Sequence, residues 1–137
     1  IMQDMLAGQI DLTCPEAGQT LELWRAGKIK AFAVMDNKRW YAAPNGPTAD
    51  EAGAPGLNMA FWYGLWAPAG VPRDMIVKLN AAVSATFDDP AVRQKLTDQG
   101  HVIPARDQRT PEALGAHHKA ETEKWWPIIK AAGIKAE

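Results

Sequence analysis

Apolar residues recur every three or four positions along much of the chain, which predicts amphipathic helices that each turn one face inward. The longest stripe begins after Pro72 and consists of Met75, Ile76, Leu79, Val83 and Phe87. Shorter patterns predict helices over 1–8, 17–26, 90–99 and from 111 onward. The second half of the chain is therefore expected to be mostly helical.

The ends of these helices carry local signals. Asp89–Pro90 and Thr110–Pro111 each place a capping residue before a proline at the first helical position. Thr48 and Glu51 have the spacing of a capping box, in which each side chain accepts a hydrogen bond from the other residue's backbone N–H. Gly100 predicts the end of the helix that begins at Pro90.

Four segments between the helices are rich in β-branched or aromatic residues and predict strands. They are residues 9–13, 29–35, 57–66 and 101–103. Helices and strands alternate in the first half of the chain, and such alternation predicts a parallel sheet with helices packed on its faces. The expected fold class is α/β.

The segment 57–66 is the most informative of the four. It runs into the turn Pro68-Ala-Gly-Val-Pro72, which opens the long helix. An aromatic strand followed by such a turn is typical of a strand that leaves one lobe of a protein and enters another. We therefore expect a boundary near 57–60, with two compact bodies joined by residues 57–68 and a ligand held in the gap beside them.

Length and charge exclude several classes of protein. With 137 residues the chain is long enough for one ordinary domain and short for two complete lobes. The formal net charge is −1 and the only basic cluster is the small pair Lys38–Arg39, which argues against nucleic acid as a partner. No apolar run approaches the roughly 20 residues that span a bilayer. The chain starts at Ile1, in what resembles the end of a helix, and we expect it to be part of a longer protein; a trimmed mature terminus is the alternative.

Catalytic and metal chemistry find little support in the sequence. Cys14 is the only cysteine, so an intrachain disulfide is excluded, and nothing around it resembles a nucleophile loop. His117 and His118 are adjacent, whereas two ligands on one helix face are four residues apart. Neither a phosphate-binding glycine loop nor a serine nucleophile elbow occurs. We expect no metal, no cofactor and no enzymatic activity, with an enzyme using Cys14 or the histidine pair as a rival class.

The loop from 13 to 19 is the best position for a ligand, because it joins the carboxyl end of a predicted strand to a helix N-terminus. Glu16 counts against a bare anion there, unless it is turned away or meets a hydroxyl or amine of the ligand. Trp62 faces the same side of its predicted strand as Trp66, and Tyr63 faces the other; lining a cleft and packing in a core are both open to Trp62. The candidate ligand-binding residues are Thr13, Cys14, Pro15, Glu16, Gln19 and Trp62.

Taken in order and at their spacing, many short motifs resemble the solute receptors of tripartite tricarboxylate transporters, also called Bug receptors. They include Leu6-Ala-Gly-Gln-Ile-Asp-Leu12, Ala26-Gly-Lys-Ile-Lys-Ala-Phe-Ala-Val34, Pro47-Thr-Ala-Asp-Glu-Ala-Gly53, the segment 62–72 and Asp89-Pro-Ala-Val-Arg93. The resemblance covers only the C-terminal portion of such a receptor. It implies an incomplete type II periplasmic-binding-protein-like fold. Residues 1–58 would be part of the second α/β lobe, and 59–137 the crossover strand and the helix-rich returning part of the first lobe.

The resemblance also implies a function. Such receptors are periplasmic, close their lobes on a small carboxylate and deliver it to a membrane permease. This chain departs from the family pattern at Cys14–Pro15, where an aromatic residue and then an aspartate are usual, and at Trp40–Tyr41, which replace small residues. The aromatic content favours an aromatic or apolar-bodied carboxylate. The alternative is a ligand-sensing or protein-interaction domain that reuses the fold, and exposed strand edges predict self-association of this chain.

Overall fold

A computed structural model describes residues 1–135 of the chain. These residues form five α-helices: α1 (Met2–Leu6), α2 (Ala17–Arg25), α3 (Arg73–Asp88), α4 (Pro90–Asp98) and α5 (Pro111–Ala131). A short 3₁₀ helix, Arg106–Arg109, precedes α5. The described residues divide into two compact units: unit 1 consists of 1–63 and 93–102, and unit 2 of 64–92 and 103–135. The division predicted from the sequence, at residues 58 and 59, stays a prediction.

The helices follow the local signals in the sequence. The Asp89 carboxylate accepts from the backbone N–H groups of Ala91 and Val92 at 2.8 and 3.0 Å, which caps α4. The Thr110 hydroxyl accepts from the N–H of Ala113 at 3.1 Å, with Pro111 in the first turn of α5. All five predicted helices are confirmed, whereas the 3₁₀ helix was not predicted.

The strand predictions were wrong for this chain taken alone. Residues 9–13, 29–35, 57–66 and 101–103 contain no ladder of strand hydrogen bonds within the described part of the chain. One parallel bridge joins Val34 to Thr48. The Val34 N–H donates to the Pro47 carbonyl at 2.9 Å, and the Ala49 N–H donates to the Val34 carbonyl at 2.8 Å. A strand exists only beside a partner, and a parallel pair needs a partner that is distant in sequence. These segments have the residues of strands and lack that partner among residues 1–135.

The small core of unit 1 lies between α2 and the segment 43–49. Leu21, Ala43, Thr48 and Ala49 are each at most 5% exposed. The predicted capping box is confirmed, because the Glu51 N–H donates to the Thr48 hydroxyl at 3.2 Å and the Thr48 N–H donates to the Glu51 carboxylate at 2.9 Å. The box fixes the turn that follows the parallel bridge.

Unit 2 is organised around Arg109, whose side chain is 7% exposed. Its guanidinium donates to the Pro104 carbonyl at 2.8 Å, pairs with Asp88 at 2.8 Å and lies 5.5 Å from the centre of the Phe87 ring. The Asn80 amide donates to the Arg109 carbonyl at 2.6 Å. These contacts hold the 3₁₀ helix against α3 and satisfy the buried charge.

The chain buries little apolar surface. Its accessible surface is 10518 Å². A compact protein of this mass exposes roughly 7,000 Å², and two separate domains of half the mass together expose roughly 8,500 Å². Large apolar side chains that are more than half exposed include Leu12, Phe32, Phe61, Leu65, Trp66 and Val102. Among the described residues, no helix combines the length and the apolar character that are needed to cross a membrane.

Candidate functional site

The structure places the six predicted ligand-binding residues in unit 1. Thr13, Pro15 and Glu16 are half-buried in the loop before α2, as is Trp62 further along the chain, whereas Cys14 and Gln19 are exposed. Whether these residues contact a ligand stays a prediction. The arrangement around Glu16 is nevertheless specific, and it brings in residues that the sequence did not single out.

The Glu16 carboxylate is held by three side chains. The Tyr63 hydroxyl donates to one carboxylate oxygen at 2.5 Å, and the Gln19 amide donates to the same oxygen at 3.3 Å. His101 Nδ1 lies 3.4 Å from the other oxygen. The Glu16 side chain is only 13% exposed as a result. Two predicted site residues, Glu16 and Gln19, therefore contact each other, and Tyr63 and His101 join them from distant parts of the sequence.

This cluster of Glu16, Gln19, Tyr63 and His101, which we call the Glu16 cluster, perturbs the tyrosine. Tyr63 is 75% exposed, and the hydrogen bond to Glu16, followed by desolvation and the charge of Glu16, raises the pKa of Tyr63 above its ordinary value. Tyr63 also meets the His101 ring edge-on, with ring centres 6.4 Å apart. Tyr63 is thus fixed as a neutral donor to the carboxylate at physiological pH.

His101 is positioned by the end of α4. The N–H of Gly100 donates to the Thr97 carbonyl at 2.9 Å and the N–H of His101 donates to the Leu96 carbonyl at 2.9 Å, which is the bonding pattern of a Schellman motif. Gly100 has φ +83°, in the left-handed region that favours glycine. The turn also receives the start of α2, because a Cβ on Gly18 would lie 2.7 Å from the Gln99 carbonyl oxygen.

Two aromatic residues from the loop 36–47 form hydrogen bonds to the turn at Gly100. The Trp40 indole N–H donates to the Gly100 carbonyl at 3.0 Å. The Tyr41 hydroxyl lies 3.0 Å from the carbonyl oxygens of both Thr97 and His101. Burial, followed by the nearby charge of Asp98, raises the pKa of Tyr41. Trp40 and Tyr41 therefore fix the backbone that carries His101.

Sequence reasoning missed Tyr63 and His101 for identifiable reasons. A regular strand over 57–66 would turn Tyr63 away from Trp62, and His101 lies in the predicted strand 101–103. Neither pattern indicates a contact with Glu16. The only local signal was Glu16 itself, since a carboxylate that becomes buried requires hydrogen-bond donors. Pairing residues so far apart in sequence still required the fold.

Solved structures show the fold class to which the chain is similar. It superimposes on the periplasmic binding protein BugD with a TM-score of 0.89 and 34% identity, covering 99% of this chain and 45% of BugD. It superimposes on MatC from Rhodopseudomonas palustris, whose structure holds bound malate, with a TM-score of 0.88 and 38% identity, covering 93% of this chain and 44% of MatC. The fold is that of periplasmic binding proteins.

The family model described as the tripartite tricarboxylate transporter family receptor matches residues 1–134, and the chain belongs to this family. Curated relatives include a UPF0065 protein of Agrobacterium vitis, 35% identical over 96% of this chain and 38% of its own length. Protein BugT of Bordetella pertussis is 26% identical over 96% of this chain and 40% of its own length. The chain thus spans about 40% of the length of these relatives. The predicted family is confirmed, and it is a family of receptors rather than of enzymes.

Proposed function

We propose that this chain is part of a periplasmic solute receptor that captures a small carboxylate and presents it to the permease of a tripartite tricarboxylate transporter. The observation that carries the proposal is the match to MatC, whose solved structure holds bound malate and is 38% identical over 93% of this chain. The family match over residues 1–134 supports the same class.

The loop 13–19 is proposed as the part of this chain that meets the ligand. It leads directly into α2, a helix of nine residues whose N-terminal N–H groups and dipole favour a carboxylate. Thr13 adds a hydroxyl, and Trp62, half-buried and next in sequence to Tyr63, adds an apolar wall. Residues 1–58 and 59–137 are proposed to belong to different lobes, which close on the ligand and so create the form that the permease recognises.

A thermal-shift panel and calorimetric titration test this proposal. Malate, citrate and benzoate represent aliphatic and aromatic acids, and at least one should raise the unfolding midpoint and bind. Trp62→Ala should weaken that binding by at least about fivefold through lost apolar contact. Trp126→Ala is the matched control, since Trp126 is 65% exposed on α5 in the other unit. Binding of none of the acids contradicts the proposal. Binding of malate or citrate without binding of benzoate contradicts the preference for an aromatic or apolar-bodied acid.

A further inference from the structure

The carboxylate of Glu16 is committed to protein partners. Tyr63 and Gln19 donate to one oxygen at 2.5 and 3.3 Å, and His101 lies 3.4 Å from the other. Short hydrogen bonds to an ionised group are among the strongest in proteins. A ligand group would have to displace these partners before it could bind the same oxygens.

The Glu16 carboxylate also does not cap the adjacent helix, α2. It occupies the N-cap position of α2, and within the described residues its side chain makes no capping hydrogen bond. Side chains at this position usually accept from the first free N–H groups of the helix. The carboxylate instead points to Tyr63 and His101, which leaves the beginning of α2 without a negative charge bound to it.

The partners are themselves held in place. His101 follows the Gly100 turn, whose carbonyl accepts from Trp40, and its own carbonyl lies 3.0 Å from the Tyr41 hydroxyl. Two distant segments, 63 and 97–101, therefore meet at the Glu16 carboxylate, and a third segment, 40–41, holds the turn at 97–101. Such convergence is expected of a side chain whose orientation is fixed in advance.

We propose that Glu16 does not contact the ligand. The other members of the Glu16 cluster hold its carboxylate away from the ligand, so that the loop 13–19 accepts an anion. Trp40 and Tyr41 are positioning residues for His101. The inference rests on the proposed function only for the nature of the ligand. It implies that the loop gains nothing from a ligand ammonium group, because the carboxylate that would pair with it is occupied.

The first test is spectroscopic and needs no ligand. The protein has two tyrosines, 41 and 63, so two phenols titrate in the near-ultraviolet. Glu16→Gln should move one of these titrations, that of Tyr63, to lower pH, since the charge that disfavours the phenolate is gone. The matched control is Tyr63→Phe, in which Glu16→Gln should leave the titration of Tyr41 unchanged. An unchanged Tyr63 titration would overturn the proposal.

The second test compares L-malate with L-aspartate, which differ by a hydroxyl in place of an ammonium. Tyr63→Phe removes the shorter of the two hydrogen bonds to one Glu16 oxygen and leaves only that of Gln19 at 3.3 Å. It should shift the ratio of the two dissociation constants toward aspartate by on the order of tenfold, the effect of one hydrogen bond to a charged group. Glu16→Gln combined with Tyr63→Phe should remove the shift. Thr122→Val is the control, because it deletes a hydroxyl that bonds only within α5, at 2.8 Å from the His118 carbonyl.

The two tests separate the possible failures. A wild-type preference for aspartate that Glu16→Gln abolishes would make Glu16 a ligand contact and overturn the inference. An unchanged ratio in Tyr63→Phe would overturn it as well. If the wild-type protein binds neither of these acids, nor citrate or benzoate, the proposed function fails, while the tyrosine titration still decides whether Glu16 is held as described.

Discussion

At the scale of single residues, Glu51 shows how one carboxylate serves two structural purposes. It accepts from Arg39 Nε at 2.9 and 3.1 Å with its two oxygens, and from the Thr48 N–H at 2.9 Å. The Arg39 hydrogen bond and then the Thr48 backbone bond lower the pKa of Glu51 below its ordinary value. The ionised form is therefore favoured by folding.

This pKa shift sets a direction for acid sensitivity. Because the folded pKa is lowered, the stabilising contribution is present above the usual carboxyl pKa of about 4.3 and is lost as pH falls through the folded value. The thermal midpoint of the wild type should therefore fall more steeply between about pH 5 and pH 3 than that of Glu51→Gln. Glu123→Gln, which removes a carboxylate 3.8 Å from Lys119 on exposed helix surface, should retain the wild-type slope. Parallel slopes for the wild type and Glu51→Gln would contradict the assignment.

The partner hydroxyl offers a second test at the same scale. Thr48 is 5% exposed and accepts from the Glu51 N–H at 3.2 Å. Thr48→Ala should lower the free energy of unfolding by about 1 kcal/mol, the usual cost of losing a cap. Thr48→Ser keeps the hydroxyl and should cost less in chemical denaturation. Equal losses for serine and alanine would show that the methyl group, which both variants lack, and not the cap, matters at this position.

The candidate site could be predicted in part from residues alone. The loop 13–19 was identified from its place between a β-rich segment and a helix, and Glu16 was recognised as a problem for an anion. The residues that contact the Glu16 carboxylate from a distance in sequence, Tyr63 and His101, lie 47 and 85 residues further along the chain. Their meeting with Glu16 is a long-range contact, which no local pattern encodes.

At the scale of elements, helices could be predicted and strands could not. Caps such as Asp89 and Thr110 and stops such as Gly100 act over four or five residues, so the sequence contains the whole signal. A strand depends on a partner that the local sequence does not identify. The segment 29–35 forms only the single bridge from Val34 to Thr48. The β-rich composition of these segments was recognised correctly, whereas their pairing was not.

The turn at the end of α4 allows a sharp test of its role. Gly100 has φ +83°, and a Cβ added there would overlap the Trp40 ring. Gly100→Ala should cost about 2 kcal/mol or more, from the left-handed backbone and the overlap together. Gly115→Ala, in the interior of α5 with open space around it, should instead stabilise by about 0.5–1 kcal/mol. Denaturant melts of both variants check this, and equal effects would contradict the account of the turn.

At the scale of the whole molecule, apolar exposure is the dominant property. The chain exposes 10518 Å², and side chains such as Phe61, Leu65 and Val102 are between 57% and 76% exposed. Monomeric proteins rarely leave so many large apolar residues in water, and unpaired β-rich segments add sites for association. The chain spans about 40% of its relatives, and we propose that the apolar faces of this portion are covered in a receptor of full length.

The same exposure predicts self-association of the 137-residue chain. Light scattering should give a mass above 14.9 kDa that grows with concentration. Phe61→Lys together with Leu65→Lys should reduce it, because charge on a β-rich edge opposes pairing. Asp74→Lys, an exposed charge change on α3, is the control. A monomer at every concentration would contradict the prediction.

Cys14 gives the molecule a practical property. It is the only cysteine of the chain, and its side chain is exposed two residues before Glu16. A thiol-reactive fluorophore would attach there and nowhere else, with no engineering of the sequence. Its emission would then report changes in the surroundings of the loop 13–19.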